Sequence, residues 1–433
     1  MLGTIVLIIM LALELGFVVF CIVTKSYQRF IRSMVSFGTM AVMLILFLTG
    51  VMHWGFRWFM LFMILLVRTL SAGWYLLRRK YRKERTYKER YVIISGIGSI
   101  LLIGIAIIPA IMFPQFKPVE ASGSYSVETV SYTLKDASRK ETFSEQAEDR
   151  RVTIQFWYPE TAKETFPLLV FSHGSFGFRG SNASTFEDLA SNGYVVCSID
   201  HTYHAFFTKQ TDGKMVFANM DFINDAIAIT NGDYEEQKTF ELTSQWLELR
   251  QQDMNFVLED IISQTKQSNP ELVYQLIDTD RIGLFGHSLG GATAAEIGRE
   301  RSDIDAVIVV DGTMLGEEIG FENGKKILNA EAYPIPILNL YNEQHYEDAK
   351  QAGMEYANTY ASANALDAKE IVINGSGHLN FTDLPLFSPT LAAMLGTGDV
   401  DSRYCVETMN RIILTYFNHY LKGVEELELL KEY

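Results

Sequence analysis

Cysteine is scarce in this chain: Cys21, Cys197 and Cys405 are the only three in 433 residues. Their spacing supports neither a disulfide framework nor a cysteine zinc site, so structural thiols are expected and no metal. Positive charge is scarce beyond residue 116, where 24 Lys and Arg face 49 Asp and Glu, a formal balance near −25. That excludes nucleic-acid binding, or attachment to an anionic membrane surface, by charge alone. The bland reading of the acidity is a solvated surface. No tandem repeat is visible, and long apolar runs are confined to the first 116 residues.

There they dominate. Residues 2–23, 34–52, 55–77 and 91–113 are each long and apolar enough to cross a hydrocarbon core of about 30 Å, which predicts four transmembrane helices in a membrane region 1–116. A cleaved signal peptide fits the first run poorly, since no basic residue precedes it and no small-residue cleavage site follows. Arg78, Arg79, Lys80, Arg82, Lys83, Arg85, Lys88 and Arg90 crowd the loop between spans three and four, and Lys25, Arg29 and Arg32 follow span one. Basic loops stay in the cytoplasm. Both chain ends are therefore expected outside, in a multi-pass protein of the cell membrane whose C-terminal part is extracytoplasmic. Glu14 and Arg68 lie at similar depths in spans one and three, and a charge pair between them is expected because unpaired charge in hydrocarbon is costly.

Pro114 to Gly123 carries two prolines and reads as a connection, with the linker proper at 117–123. From residue 124 to 433 short β-rich runs alternate with helical patterns. The runs are Val152 to Tyr158, Leu168 to Ser172, Tyr194 to Asp200, Arg281 to Phe285, Ala306 to Asp311, Ile335 to Tyr341 and Lys369 to Ile373. Ser184 to Ala190, Leu242 to Gln264, Gly291 to Arg299 and Val406 to Leu421 read as helices. This alternation predicts an α/β fold, a mostly parallel sheet covered on both faces. Residues 205–240 are aromatic and polar without clean periodicity, and are either a lid over a cleft or a surface excursion.

Gly286-His287-Ser288-Leu289-Gly290 stands between the apolar run Ile282 to Phe285 and the small-residue segment Gly291 to Ala295. Strand, sharp turn and helix lift a serine hydroxyl to where a base can reach it, so Ser288 is the candidate nucleophile. An acid and then a histidine should follow in the chain. Asp311, closing Ala306 to Val310, is the best acid, and Glu343 after the next strand is its rival. His378, in the glycine-bearing loop Gly375 to Phe381, is the best base; His345, in a polar loop, and His419, in the terminal helix, are the competitors. The oxyanion donors are expected from the N–H of Leu289 and from Ser175 in Phe171 to Gly177. His173 and His287 read as packing residues, and His201 with His204 as pocket or loop residues lacking a third metal ligand.

The GHSLGG segment, the FSHG loop, Asp311 in VVDGTM and GSGHLNF around His378 together resemble the platelet-activating factor acetylhydrolase family of α/β-hydrolases, with its lipase-like and dienelactone-hydrolase-like relatives. The likeness covers roughly Tyr125 to Lys422. It implies that the acid follows the strand directly after the nucleophile's strand, which favours Asp311 over Glu343. It also implies a calcium-independent serine esterase, free of cofactors, acting on short or oxidised acyl chains of phospholipids. Gly312-Thr313 stand where secreted vertebrate members carry a bulky aromatic sequence, and residues 205–240 differ throughout. The expectation is thus a membrane-anchored ester hydrolase using Ser288, His378 and Asp311. A peptidase or acyltransferase would use the same triad. A catalytically silent membrane sensor would lack a triad member, and none is missing.

Overall fold

The computed structural model describes residues 2–78, 80, 86–144, 148–160, 164–423 and 426–433. Arg79, Arg82, Lys83, Glu84 and Arg85 of the basic loop lie outside the described residues. The chain forms two units, Met1–Lys117 with Pro385–Met394, and Pro118–Leu384 with Leu395–Tyr433.

The first unit is built on α1 (Leu2–Val23), α2 (Arg29–Leu48), α3 (Phe56–Arg78) and α4 (Glu89–Met112). All four helices are long and apolar enough to cross a membrane. Met10, Met43, Trp58, Leu61, Leu65, Ile103 and Ile107 face one another inside, whereas Ile5, Ile9, Val19, Ile94 and Leu101 face outward, as lipid-facing positions would. The second helix starts at Arg29 and ends at Leu48, several residues ahead of the 34–52 expected from hydropathy. Arg32 is why: its guanidinium reaches Glu14 Oε2 at 3.6 Å and Ser99 Oγ at 3.3 Å, which gives a helical role to residues that composition assigns to a loop. Glu14 Oε1 also meets Arg68 Nη1 at 2.5 Å, so the carboxylate faces two guanidinium groups rather than the one expected. Phe387, from the C-terminal half of the sequence, belongs here too; its ring lies 5.1 Å from Phe113 and 6.1 Å from Phe116, and Ser388 Oγ donates to Met112 O.

The second unit begins with strands β1 (Val127–Lys140), β2 (Asp149–Pro159) and β3 (Phe166–Ser172), then α5 (Ala183–Ser191) and β4 (Val195–Asp200). A small hairpin, β5 (Phe207–Lys209) and β6 (Met215–Phe217), precedes α6 (Met220–Asn231), α7 (Glu236–Thr265) and α8 (Leu272–Gln275). Next come β7 (Ile277–His287), α9 (Leu289–Glu300), β8 (Ala306–Val310), a second hairpin β9 (Glu318–Glu322) and β10 (Lys325–Leu328), and β11 (Ile337–Asn342). α10 (Glu343–Ala352), α11 (Ala357–Asn364), β12 (Ala368–Ile373) and α14 (Ser402–Phe417) complete it, whereas α12 (Leu384–Phe387) and α13 (Pro389–Leu395) lie almost wholly in the first unit. The large sheet has the order β1-β2-β4-β3-β7-β8-β11-β12. It is parallel from β4 to β12, with β1 and β2 antiparallel at one edge.

Every sequence-predicted strand is present. β7 shows why both sheet faces are apolar: Leu284 packs with Met254 and Val257 of α7 and Ala294 of α9, while Phe285 turns the other way onto Phe186 of α5 and Phe417 of α14. β1 has no counterpart among the predicted runs, since its Lys, Glu, Ser and Thr residues suit an edge strand with one wet face. The 205–240 stretch holds the hairpin β5–β6 and α6; strands of three residues are too short for any period to reveal.

Candidate active site

At the carboxyl end of β7 the chain turns through Ser288, with φ 55° and ψ −125°, and α9 begins at Leu289. A non-glycine residue in this conformation is strained, and the surrounding bonds hold it there. Ser288 N donates to Val310 O at 2.8 Å, and Ser288 O accepts from Gly291 N at 2.9 Å and Ala292 N at 3.2 Å. The turn is so tight that a Cβ on Gly290 would lie 1.9 Å from Ser172 O. As the first residue of α9, Leu289 has an N–H with no partner inside the helix, at the positive end of the helix dipole.

Asp311 follows β8, also at positive φ (51°), and its N–H donates to Leu340 O at 2.7 Å. The buried carboxylate accepts four hydrogen bonds: from Asn342 N (2.9 Å) and Nδ2 (2.6 Å), His345 Nδ1 (2.9 Å) and His378 Nδ1 (2.6 Å). Burial opposes its ionisation, yet the bonds from His345 and His378 hold it well below the usual carboxylate range. A charged acceptor at Nδ1 fixes the proton there and leaves His378 Nε2 with a lone pair. His378 is half-exposed, on the short 3₁₀ turn His378–Phe381 after β12.

His287, the residue before Ser288, has its ring 4.5 Å from that of His378 and bonds His378 O through Nε2 at 3.0 Å. Burial, with His378 nearby, pushes its pKa down to about 3, so it is a neutral spacer. Ser288 and His378 are thus neighbours of one ring, although no hydrogen bond joins their side chains among the described residues. Ser175 lies in the loop after β3, half-buried, and the loop passes close to the nucleophile turn: a Cβ on Gly174 would come 3.2 Å from Ser288 Cβ. From the 205–240 segment, Phe222 of α6 packs with Leu289 and Ala292 at the start of α9.

Of the rivals, Glu343 and His419 bond neither Asp311 nor Ser288 among the described residues, whereas His345 shares Asp311 with His378. Glu343 Oε2 accepts Gly375 N at 2.9 Å. His419 sits beyond α14 with its ring 4.7 Å from Tyr420. His345 does not stand in a polar loop as expected; it occupies the first turn of α10, where Asn342 Oδ1 caps its N–H, and it bonds Asp311 on one side and Tyr356 Oη (2.5 Å) on the other. Asn342 is a further residue that sequence reasoning missed, and its place at the end of β11 was the available signal.

Behind the Ser172–Ser175 loop lies a second polar group. His201 Nε2 pairs with Ser172 Oγ at 2.9 Å and its Nδ1 with Asp253 Oδ2 at 3.1 Å, all fully buried. Arg150 grips Asp253 with Nε (3.1 Å) and Nη2 (2.6 Å), and Arg139 Nη2 adds a bond at 2.9 Å. Burial pushes His201 down to about 4. His204 stacks on Phe222 at 4.0 Å. Arg250 on α7 donates to the carbonyls of His173 and Gly174. Arg250 and Asp253 share the face of Leu247, Met254, Val257 and Ile261, so two charges on an apolar stripe were the signal in the sequence.

Residues 140–429 match the family of platelet-activating factor acetylhydrolase, isoform II. Among curated relatives, the platelet-activating factor acetylhydrolase of Canis lupus familiaris is 26% identical over 61% of this chain and 59% of its own length. A probable 1-alkyl-2-acetylglycerophosphocholine esterase of Arthroderma benhamiae is 26% identical over 60% of this chain and 62% of its own. The chain spans about three-fifths of the length of these relatives. Of solved structures, a ferulic acid esterase from Streptomyces cinnamoneus superimposes with a TM-score of 0.57 at 22% identity, over 73% of this chain and 97% of that one, a likeness of fold. The second unit has the α/β-hydrolase fold.

Proposed function

Because the chain belongs to the platelet-activating factor acetylhydrolase isoform II family, we propose that it is a membrane-anchored serine ester hydrolase. Its substrates are short or modified acyl esters of phospholipids. The observation that carries this reading is the 2.6 Å bond between Asp311 Oδ2 and His378 Nδ1 beside a serine held in a strained strand-to-helix turn.

Ser288 Oγ attacks the ester carbonyl as His378 Nε2 takes its proton, and Asp311 stabilises the imidazolium that forms. Negative charge gathers on the former carbonyl oxygen, where the N–H groups of Leu289 and Ser175 receive it. His378 then protonates the leaving alcohol, and the Ser288 acyl ester remains. Water, deprotonated by the same imidazole, attacks this ester and releases the carboxylate and the free serine. Four helices apolar enough to cross a membrane support anchoring in the bilayer, and the excess of Lys and Arg in the loops supports an orientation with the hydrolase unit outside the cytoplasm.

The test is the full chain in lipid nanodiscs, assayed against phospholipids with acyl groups from acetyl to palmitoyl and against matched amides, beside fluorophosphonate labelling. Expected are cleavage of acetyl and oxidised esters and labelling lost in Ser288→Ala. Equal labelling of that variant removes the nucleophile assignment, and activity confined to long chains removes the short-acyl reading. Protease added to intact cells should reach the hydrolase unit; full protection overturns the orientation.

A further inference from the structure

Arg250 is the most deeply buried arginine near the site, yet its guanidinium touches neither Ser288, Asp311 nor His378. It is fully enclosed, and it spends two of its donors on consecutive backbone carbonyls, those of His173 and Gly174, the latter at 3.3 Å. Gly174 O is a hub: Gly177 N reaches it at 3.1 Å and His173 Nδ1 at 2.6 Å. Peptide units here are trans, so each carbonyl points opposite to the N–H that shares its plane. The carbonyl of Gly174 shares its plane with the N–H of Ser175. A group that grips this carbonyl from behind therefore aims that N–H away from itself, and the Gly174 backbone lies against Ser288.

We infer that Arg250 is a positioning residue for the oxyanion hole, acting through the Gly174–Ser175 peptide; the inference rests on the serine-hydrolase reading above. Two effects work together. The fork fixes the direction of the donor, so the hole needs no reorganisation when charge develops. The guanidinium charge also polarises the peptide it holds, which strengthens the N–H on the far side in a water-free setting. Burial, opposed by the attraction of Asp253, brings the Arg250 pKa down to about 9, so the group stays charged at neutral pH. Asp253 itself is engaged by Arg150, Arg139 and His201, and no carboxylate bonds Arg250 among the described residues. Its two hydrogen bonds both go to the oxyanion loop.

The experiment uses the full chain in nanodiscs, with Arg250→Lys keeping the charge but losing the fork and Arg250→Met losing both. kcat and KM on a soluble acetyl ester are expressed per folded molecule, counted by fluorescence-detected size exclusion. Trifluoromethyl ketone binding reports the tetrahedral state, and binding of a non-hydrolysable ether analogue reports the ground state. Loss of one oxyanion donor costs roughly 100-fold or more in kcat, so kcat should fall about tenfold in the lysine variant and about a hundredfold in the methionine variant. KM and ether binding should stay nearly constant, while ketone affinity falls in step with kcat. Unchanged kcat in the lysine variant, or equal losses for ketone and ether, overturns the proposal. Should Arg250→Met fail to fold, the lysine variant decides alone. Ser288→Ala runs alongside: if it stays active, the hydrolase reading fails, whereas if it is dead and Arg250→Lys is unimpaired, only the positioning role fails.

Discussion

Serine, histidine and aspartate occur together twice in the hydrolase unit. Ser172, His201 and Asp253 are linked by bonds of 2.9 and 3.1 Å, whereas around Ser288 only His378 and Asp311 are bonded, at 2.6 Å. On distances alone the first group is the more complete. Its surroundings take away its chemistry. Asp253 is neutralised by Arg150 and Arg139, which are permanent cations, so a charge on His201 would gain little from it. Asp311 has only neutral donors and two histidines, so its charge is left for an imidazolium to meet. Ser172 is sealed inside β3, while Ser288 stands partly exposed on the turn that opens α9. What separates a scaffold from a catalytic group is the counter-charge of the acid and the access of the hydroxyl.

Exchanging the serines gives the largest contrast. Ser288→Ala should reduce ester cleavage by about 10⁴-fold or more, whereas Ser172→Ala should leave kcat within a few-fold and cost about 1 kcal/mol of stability, read by thermal melting. Comparable loss from both would erase the distinction. The acids should then dissociate activity from folding. Asp311→Asn should lower kcat by about 10⁴-fold and cost about 1–3 kcal/mol of stability for the donors left unpaired. Asp253→Asn strands buried arginine charge and should cost about 3–5 kcal/mol, with kcat per folded molecule largely kept.

Acid should sharpen the comparison further. His201, held near 4 by burial, stays neutral in the folded chain while an unfolded histidine titrates near 6.5. Between these values the unfolded state binds the extra proton, so the His201 contribution to stability falls as pH drops from about 6.5 to about 4. His201→Gln should flatten the dependence of melting temperature on pH in that window relative to the native protein; an unchanged slope would show that the ring is not buried neutral. The smallest effect is expected at His345, one of four donors to Asp311. His345→Ala should lower kcat by about tenfold, the low end for one hydrogen bond to a charged group, measured beside His378→Ala, which should abolish turnover.

Much of this is legible in the sequence. Ser288 and Asp311 stand at strand ends and His378 follows β12 after a short glycine-bearing loop, and parallel strands put their carboxyl ends on one edge, so the strand ends seen in the sequence locate all three. Local pattern could not show His345 reaching Asp311, since that contact depends on a short helix turning back immediately after β11. Arg150 and Asp253 are 103 residues apart, and no periodicity joins them. The polar edge strand β1 was hidden for a related reason: it is held by cross-strand bonds to β2, and its own residues carry little apolar signal.

Phe387 stands nine residues after His378 in the sequence, yet it belongs with Phe113 and Phe116 in the helical unit. In evolutionary terms the two halves are sewn rather than strung together. A descendant that shed α1 to α4 in one step would bare an apolar segment a few residues from His378. Gain or loss of the helices must therefore travel with change at Pro385–Met394, and that stretch is where relatives with and without the helices should differ most.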